Sequence, residues 1–123
     1  MSNKIKVGTS KIAGAGRGVF ATADIRKNET IEICPVIIIE EDTHLQHTIL
    51  QHYIFEYTKN SSMLALGWGS LYNHHVTPNA KYELQQNDDT GLNADLFIIA
   101  TRKILKGEEI YINYGPHYDE IFK

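Results

Sequence analysis

The stretch Tyr72-Asn73-His74-His75-Val76-Thr77-Pro78-Asn79 decides the fold of this chain. Its asparagines and threonine can hydrogen-bond their own backbone, and Pro78 restricts the local conformations. Such a segment seldom lies inside a strand or a helix. The pattern therefore predicts a fixed irregular loop, and loops held by a rigid scaffold are where binding and catalysis concentrate.

Length and composition limit the kind of protein that can surround this loop. With 123 residues, 42% of them hydrophobic, the chain is long enough for one domain with a packed core. The net charge of −3 does not favour direct nucleic-acid binding. No apolar run reaches the roughly eighteen residues of a membrane span, and the N-terminus lacks a signal-type apolar segment. We therefore expect a soluble, intracellular protein without membrane contact.

The charges are unevenly distributed along the chain. Residues 1–27 hold six Lys or Arg and one acid, whereas residues 28–58 hold six acids and no Lys or Arg. An acidic middle can face a basic peptide, although a solvated surface is the ordinary explanation of any single charge.

Short apolar runs on both sides of the central stretch predict strands with frequent turns. The predicted strands lie near residues 5–7, 19–21, 30–39 with an interruption at Pro35, 53–57, 63–66, 81–85, 95–101 and 110–114. Residues 44–50 and 117–123 are candidates for short helical turns. We find no internal repeat, low-complexity tract or linker. The pattern predicts a mostly-β domain of several small twisted sheets with little helix.

A glycine-rich segment, Gly14-Ala15-Gly16-Arg17-Gly18, precedes the second predicted strand. Alternate glycines allow positive φ and close approach of the backbone to a ligand. The segment is not the dinucleotide-binding fingerprint, because a strand and not a helix follows it. Taken alone, it fits a glycine-rich hairpin as well as a ligand loop.

The histidines and the cysteine give no clear metal or nucleophile motif. His44, His47 and His52 lie close in sequence, but their spacing matches no zinc site, and we predict no metal. The one cysteine, Cys34, excludes an internal disulfide, and its apolar strand beside Pro35 favours a structural thiol over a Cys–His nucleophilic pair. An unrelated mostly-β enzyme with a histidine site stays open as an alternative, and it would lose activity with chelators.

Three segments carry a family resemblance when they are taken together. They are the glycine loop 14–21, the element Asn73-His74…Pro78-Asn79, and the run Gly107-Glu108-Glu109-Ile110…Tyr114-Gly115. Their order and content resemble the SET-domain family of protein lysine methyltransferases over about residues 5–118. The resemblance is nearest to the minimal viral and bacterial-type members. It implies a single SET domain over residues 1–123, without pre-SET or post-SET zinc modules.

The resemblance also implies a fold and a set of site residues. Residues 72–79 would pack against 110–115 in a knot-like C-terminal crossing, a rare exception to unthreaded topology. S-adenosylmethionine would lie on one face of the crossing, and the target lysine would enter a channel from the other. The implied cofactor-binding residues are Ala15, Gly16, Arg17, Asn73 and His74. The implied catalytic residues are Tyr114 and Tyr53, and the implied channel residues are Trp68, Ile112 and Tyr118. Glu108 and Glu109 would be structural and bind backbone near the crossing.

The sequence departs from the family pattern at three positions. His75 replaces the usual Ser, and Asn113 replaces the frequent Asp before the catalytic Tyr. Ile112 stands where many members carry the Phe or Tyr that limits methylation, which predicts that di- or trimethylation is allowed. Without zinc flanks, the channel must be completed by residues 117–123 or by a second subunit, and we expect a homodimer.

The implied activity is S-adenosylmethionine-dependent methylation of a lysine ε-amine in a basic protein such as a histone. The location would be the cytoplasm for a bacterial protein and the host nucleus for a viral one. A non-catalytic SET-fold module that binds a peptide or a protein is the second hypothesis. Retention of Asn73, His74 and Tyr114 together argues against it. For Trp68, between two glycines, ordinary core packing stays open beside the channel role.

Overall fold

The part of the chain that the structure describes folds mainly into strands. The computed structural model describes residues 4–40, 53–58, 61–87 and 93–113. The strands within these ranges are β1 (Ile5–Thr9), β2 (Arg17–Ala21), β3 (Thr30–Glu40), β4 (Ile54–Thr58), β5 (Ser61–Ala65), β6 (Asn73–His74), β7 (Ala80–Gln86), β8 (Ala94–Ala100) and β9 (Glu109–Ile112). Helix in these ranges is limited to one 3-10 turn, Gly69–Leu71. The helical turns predicted for 44–50 and 117–123 lie outside the described residues.

The strands form two sheets in the described part of the chain. One has the order β1-β2-β9-β6, and the other has the order β4-β5-β3-β8-β7. Strict alternation along β8 places Leu96 and Ile98 in the core and Phe97 and Ile99 on the half-exposed face. The prediction of a mostly-β domain with small sheets is confirmed. No helix in the described ranges is long and apolar enough to cross a membrane.

Strand β3 is continuous through Pro35, so the predicted interruption is wrong. The strand instead changes its partner there. Pro35 is the last residue paired with β8, opposite Asp95, and Val36 is the first paired with β5, opposite Ala65. Because proline has no N–H to donate, it is tolerated where one ladder ends and the next begins.

The central stretch 72–79 contains a short strand, which the prediction of a wholly irregular loop missed. Asn73 pairs with Tyr111 and His74 pairs with Ile112, so β6 runs parallel to β9. The side chain of Asn79, which is 2% exposed, extends this pairing. It donates to the Glu109 carbonyl at 2.9 Å and accepts from the Tyr111 N–H at 2.8 Å. The predicted packing of 72–79 against the last strand is confirmed for the described residues.

The two segments 21–31 and 100–110 form a short internal repeat, so the expectation of no repeat is wrong. Six of the eleven aligned positions are identical, namely Ala21/Ala100, Thr22/Thr101, Ile25/Ile104, Lys27/Lys106, Glu29/Glu108 and Ile31/Ile110. The segments pair with approximate two-fold symmetry. Ile25 and Ile104 exchange backbone hydrogen bonds of 2.8 and 2.9 Å, and the Asn28 and Gly107 N–H groups bind the Ala100 and Ala21 carbonyls, both at 2.8 Å.

The core lies between the sheets and beneath this repeat. Its fully buried members include Val19, Ile25, Ile31, Cys34, Tyr72, Leu96, Ile98, Ile104, Ile110 and Ile112. Because β9 contributes Ile110 and Ile112 to this core, its position is fixed by packing as well as by hydrogen bonds. The crossing of β6 and β9 therefore has a rigid base.

Candidate active site

The glycine loop joins β1 to β2 and presents open backbone. It is closed at its base by a hydrogen bond of 2.8 Å from the Ser10 N–H to the Gly16 carbonyl. Gly14 and Gly16 have φ values of 78° and 77°, and a Cβ at either position would meet nothing within 4 Å. Left-handed backbone of this kind strongly favours glycine. The loop therefore leaves room for another molecule to approach its backbone.

Asn73 connects the glycine loop to the central stretch. Its side-chain nitrogen donates to the Arg17 carbonyl at 3.0 Å and to Glu109 Oε2 at 3.0 Å. These two bonds use both amide hydrogens, so the amide oxygen is the atom left to accept from a ligand. The residue is half-buried and lies in β6 beside β9.

The carboxylate of Glu109 holds these segments together. It is 3% exposed and accepts from the Ser10 hydroxyl at 2.7 Å and the Lys11 N–H at 2.8 Å, in addition to Asn73. Both oxygens accept hydrogen bonds, which satisfies the buried charge. The structural role predicted for Glu109, binding backbone near the crossing, is confirmed by the bond from Lys11.

An aromatic pair borders the crossing on the side of β9. The Tyr111 ring lies 5.0 Å from the His75 ring between centroids, and its hydroxyl donates to Glu109 Oε1 at 3.2 Å. Burial and the adjacent Glu109 carboxylate raise the pKa of Tyr111 above its ordinary value. The hydroxyl therefore stays protonated and serves as a donor. His75 Nδ1 accepts from the Thr77 N–H at 3.0 Å, which closes the turn after β6.

The structure brings only some of the sequence-predicted site residues together. Arg17 and Asn73 are in direct contact through the Arg17 carbonyl, Ala15 and Gly16 lie in the same loop, and His74 follows Asn73 in β6. Tyr114 and Tyr118 lie outside the described residues.

The remaining three predicted residues are divided between the β6–β9 pair, where Ile112 lies opposite His74, and other parts of the chain. Ile112 is fully buried in the core, and Tyr53 is half-buried just before β4. Trp68 is 37% exposed, so the core-packing alternative for this side chain is wrong. No hydrogen bond within the described ranges joins Trp68 or Tyr53 to Asn73 or Glu109. Their assigned roles stay predictions.

Two acids of the segment 28–58 have structural roles in the part of the chain that the structure describes. Of the six acids in residues 28–58, the structure describes the side chains of Glu29 and Glu32. Glu29 pairs with Lys4 at 3.1 Å, and Glu32 is 2% exposed. Glu32 is therefore closed to a substrate, and Glu29 is already paired within the chain. Among the described residues, no group of three His, Cys, Asp or Glu side chains is placed to hold a metal ion.

Three residues of the site were not predicted from the sequence as site residues. Ser10 and Lys11 carry no recognisable signal, because their role depends on Glu109 almost a hundred positions away. Asn79 was part of the quoted motif but received no role. Its full burial with two side-chain bonds to β9 is a property that only the fold reveals.

Comparison with known proteins identifies the family to which this fold and site belong. A family model described as SET domain matches residues 16–115. A histone-lysine N-methyltransferase, H3 lysine-37 specific, from Schizosaccharomyces pombe is 35% identical over 105 residues, which span 83% of this chain and 68% of the relative. The crystal structure of a candidate histone methyltransferase from Plasmodium falciparum is 37% identical, with a TM-score of 0.73, and the match covers 96% of this chain and 98% of that one.

The fold, the site and these relatives define a protein lysine methyltransferase. The chain belongs to the SET-domain family, whose members use S-adenosylmethionine as methyl donor. The resemblance to the SET-domain family is confirmed. The alternative of an unrelated mostly-β enzyme with a histidine site is wrong, because the family match covers most of the chain.

Proposed function

We propose that this chain binds S-adenosylmethionine beside Asn73 and methylates a lysine of a basic protein, with a histone tail as substrate. One observation carries the proposal. The Asn73 side chain bonds both the glycine loop, at the Arg17 carbonyl, and the β9 carboxylate of Glu109, so the three motif segments meet at one place. The histone substrate is supported by the name of the Schizosaccharomyces pombe relative.

The residues around Asn73 suit this cofactor. Its amide oxygen would accept from the ammonium of the methionine portion, and the open backbone at Gly14 and Gly16 would accommodate a ligand of this size. His74 would lie beside the adenine. The bound cofactor would supply an activated methyl group on a sulfonium.

The protein's own task is to bring in a lysine amine in its neutral form. Deprotonating an ordinary lysine at pH 7 costs about 4.6 kcal/mol, given its reference pKa of about 10.4. A dry aromatic channel lowers this cost because it disfavours the ammonium form. We assign the walls of this channel to Trp68, Ile112 and Tyr118, and we assign the orientation of the amine to Tyr114 and Tyr53. Positioning nitrogen, methyl and sulfur in line would then supply much of the rate.

Calorimetric titration with S-adenosylmethionine tests the cofactor site. We expect the wild type to bind and Asn73→Ala to lose binding, because that variant removes both the amide oxygen and the link to Glu109. Asn87→Ala is the matched control, since it removes an exposed side chain whose amide donates to Asp95 at 3.1 Å, away from Asn73. Equal binding by wild type and Asn73→Ala would remove the site from this part of the molecule.

Peptide methylation tests the substrate and the extent of methylation. A histone H3 peptide that contains lysine 37, and the same peptide with arginine there, would be incubated with enzyme and excess cofactor. We expect mass spectrometry to find di- and trimethyl products on the lysine peptide alone, because Ile112 is not the Phe or Tyr that restricts methylation. A product that stops at monomethyl-lysine contradicts the role of Ile112, and equal labelling of both peptides contradicts the target residue.

The remaining features of the proposal concern the whole protein. We infer a single SET domain over residues 1–123 that works as a homodimer, in the nucleus if the substrate is a histone. Ile33 and Ile37 support the dimer, because they are 43% and 48% exposed on the same face of β3. Light scattering at the concentration of the activity assay tests it, and a fully active monomer would refute it.

A further inference from the structure

A buried carboxylate, Glu32, lies directly behind the turn that leads into the candidate site. It is 2% exposed on β3 and accepts two hydrogen bonds from this turn. The Tyr72 hydroxyl donates to Oε1 at 2.7 Å, and the Trp68 backbone N–H donates to Oε2 at 3.0 Å. Each carboxylate oxygen therefore holds a different end of the segment 68–72, immediately before Asn73.

Two glycines allow the turn to close onto β3. Gly67 has φ +62°, and a Cβ there would lie 2.6 Å from Glu32 Oε2. A Cβ on Gly69 would lie 2.9 Å from the Cys34 sulfur and 2.6 Å from the Ala65 Cβ. Real Cβ atoms do not approach other atoms this closely, so both positions require glycine. The sequence Gly67-Trp68-Gly69 is therefore built around contact with Glu32 and Cys34.

The two hydrogen bonds to Glu32 leave the two aromatic side chains of the turn in different environments. Tyr72 is fully buried, whereas Trp68 is 37% exposed. Burial, and then the negative charge of Glu32, raise the pKa of the Tyr72 hydroxyl, so it stays a donor across the physiological range. Asn73 follows Tyr72 directly, and its amide must meet both Arg17 and Glu109. A shift of Tyr72 would move Asn73 away from these partners.

We propose that Glu32 is a positioning residue for methyl transfer. Through Tyr72 it holds Asn73 in place at the cofactor site, and through the backbone of Trp68 it presents the indole at the surface. Glu32 itself touches neither substrate nor cofactor. This inference rests on the proposed function, because it assumes that Asn73 binds the cofactor.

The chain contains one tryptophan, so its fluorescence reports on this turn alone. Tyr72→Phe removes the hydroxyl and keeps the ring. We expect cofactor binding to weaken about tenfold in this variant, which is the effect of losing about one well-placed hydrogen bond at Asn73. We also expect a red-shifted Trp68 emission that acrylamide quenches more strongly, measured well below the unfolding temperature. Tyr82→Phe is the matched control, since Tyr82 is a partly buried tyrosine on β7.

A second comparison separates positioning from a general loss of stability. Ile104→Val removes one methylene from a fully buried side chain in the internal repeat and lowers the melting temperature. It should leave both the cofactor dissociation constant and the Trp68 emission unchanged. Glu32→Leu removes both acceptor oxygens and should reproduce the Tyr72→Phe phenotype. The double variant should lose less cofactor affinity than the two single losses combined, because both substitutions remove the Tyr72–Glu32 bond.

The outcomes distinguish this inference from the proposed function. Wild-type affinity and emission in folded Tyr72→Phe would overturn the positioning role of Glu32. Failure of the wild type itself to bind S-adenosylmethionine would overturn the proposed cofactor site. In that case the Trp68 emission of Tyr72→Phe still shows whether the bond from Tyr72 to Glu32 holds the segment 68–72 in its conformation, since this measurement needs no cofactor.

Discussion

At the scale of single residues, the candidate site depends on one carboxylate that serves more donors than an amide could. Glu109 Oε2 accepts from Ser10 and Asn73, and Oε1 accepts from Lys11 and Tyr111, at distances from 2.7 to 3.2 Å. The glycine loop, β6 and β9 therefore share one buried acceptor. Loss of the Glu109 carboxylate should therefore lower both the free energy of unfolding and the affinity for the cofactor.

Glu109→Gln should lower the free energy of unfolding by about 2–4 kcal/mol, because its NH2 group would face donors that need an acceptor. Urea denaturation measures this change. Glu83→Gln is the control, since the Glu83 side chain forms an exposed pair with Lys81 at 2.9 Å, and exposed pairs contribute about 0–1 kcal/mol. Equal effects of the two variants would show that the Glu109 network does not stabilise the fold.

Gly18 gives a steric test of the same network. Gly8 and Gly18 face each other in the β1–β2 pair. A Cβ on Gly18 would overlap the Glu109 carboxylate and lie 3.0 Å from the Asn73 nitrogen, whereas a Cβ on Gly8 would lie 3.3 Å from the Phe20 ring. We expect Gly18→Ala to destabilise the protein by about 1–3 kcal/mol and weaken cofactor binding. Gly8→Ala should retain binding, and loss of binding in both variants would contradict this account.

At the scale of elements, the two segments of the internal repeat connect strands of the two sheets. Segment 21–31 joins β2 to β3, and segment 100–110 joins β8 to β9. The Glu29 and Glu108 carboxylates each accept the N–H of the residue three positions earlier, at 3.1 and 3.0 Å. Each also pairs with a nearby cation, Lys4 or Arg102. The two turns therefore use the same chemistry, and the symmetric pairing of Ile25 with Ile104 ties them together.

The repeat predicts how its two left-handed positions respond to substitution. Asn28 has φ 70° and Gly107 has φ 91°, and a Cβ on Gly107 would meet nothing within 4 Å. Gly107→Ala should therefore cost about 1 kcal/mol from backbone strain alone. Gly107→Asn should cost less, since its counterpart Asn28 already adopts this conformation. Thermal unfolding measures both, and a larger loss for Asn than for Ala would refute the equivalence of the turns.

Most strands were predictable because their apolar residues alternate, as in β8, where every second side chain is buried. The antiparallel pairing of β7 with β8 was also predictable, as a hairpin across the polar run between them, whereas the other strand partners were not. The exchange at Pro35 and the repeat both depend on pairings across long stretches of sequence, which periodicity does not encode. At the site, Asn73 and Arg17 followed from the family motif. The structural roles of Glu32 and Asn79 could not be identified, because they depend on the burial of these two side chains, which the sequence does not show.

At the scale of the whole molecule, stability should depend on pH through groups spread over the fold. Hydrogen bonds and cations lower the pKa of Glu29, first through the Arg26 N–H, and of Glu108, first through Arg102. Lowered carboxylate pKa values stabilise the folded state above the ordinary value of 4.5, and this stabilisation is lost as the pH falls below it. On the alkaline side, the raised pKa values among the described residues belong to Tyr111 and to two groups in the core, Cys34 and Tyr72.

Burial raises the pKa of the Cys34 thiol above 9.0 and that of Tyr72 above 10.0, and Glu32 adds to both shifts. Above these ordinary values the unfolded chain loses protons that the folded chain keeps, so stability falls as the pH rises. We expect the free energy of unfolding to decline from about pH 9, with a slope approaching 1.4 kcal/mol per pH unit for each group. Urea titrations between pH 7 and 11 measure this decline. Cys34→Ser should move its onset towards pH 10, because serine does not ionise in this range, whereas an unchanged onset would assign the decline to other groups.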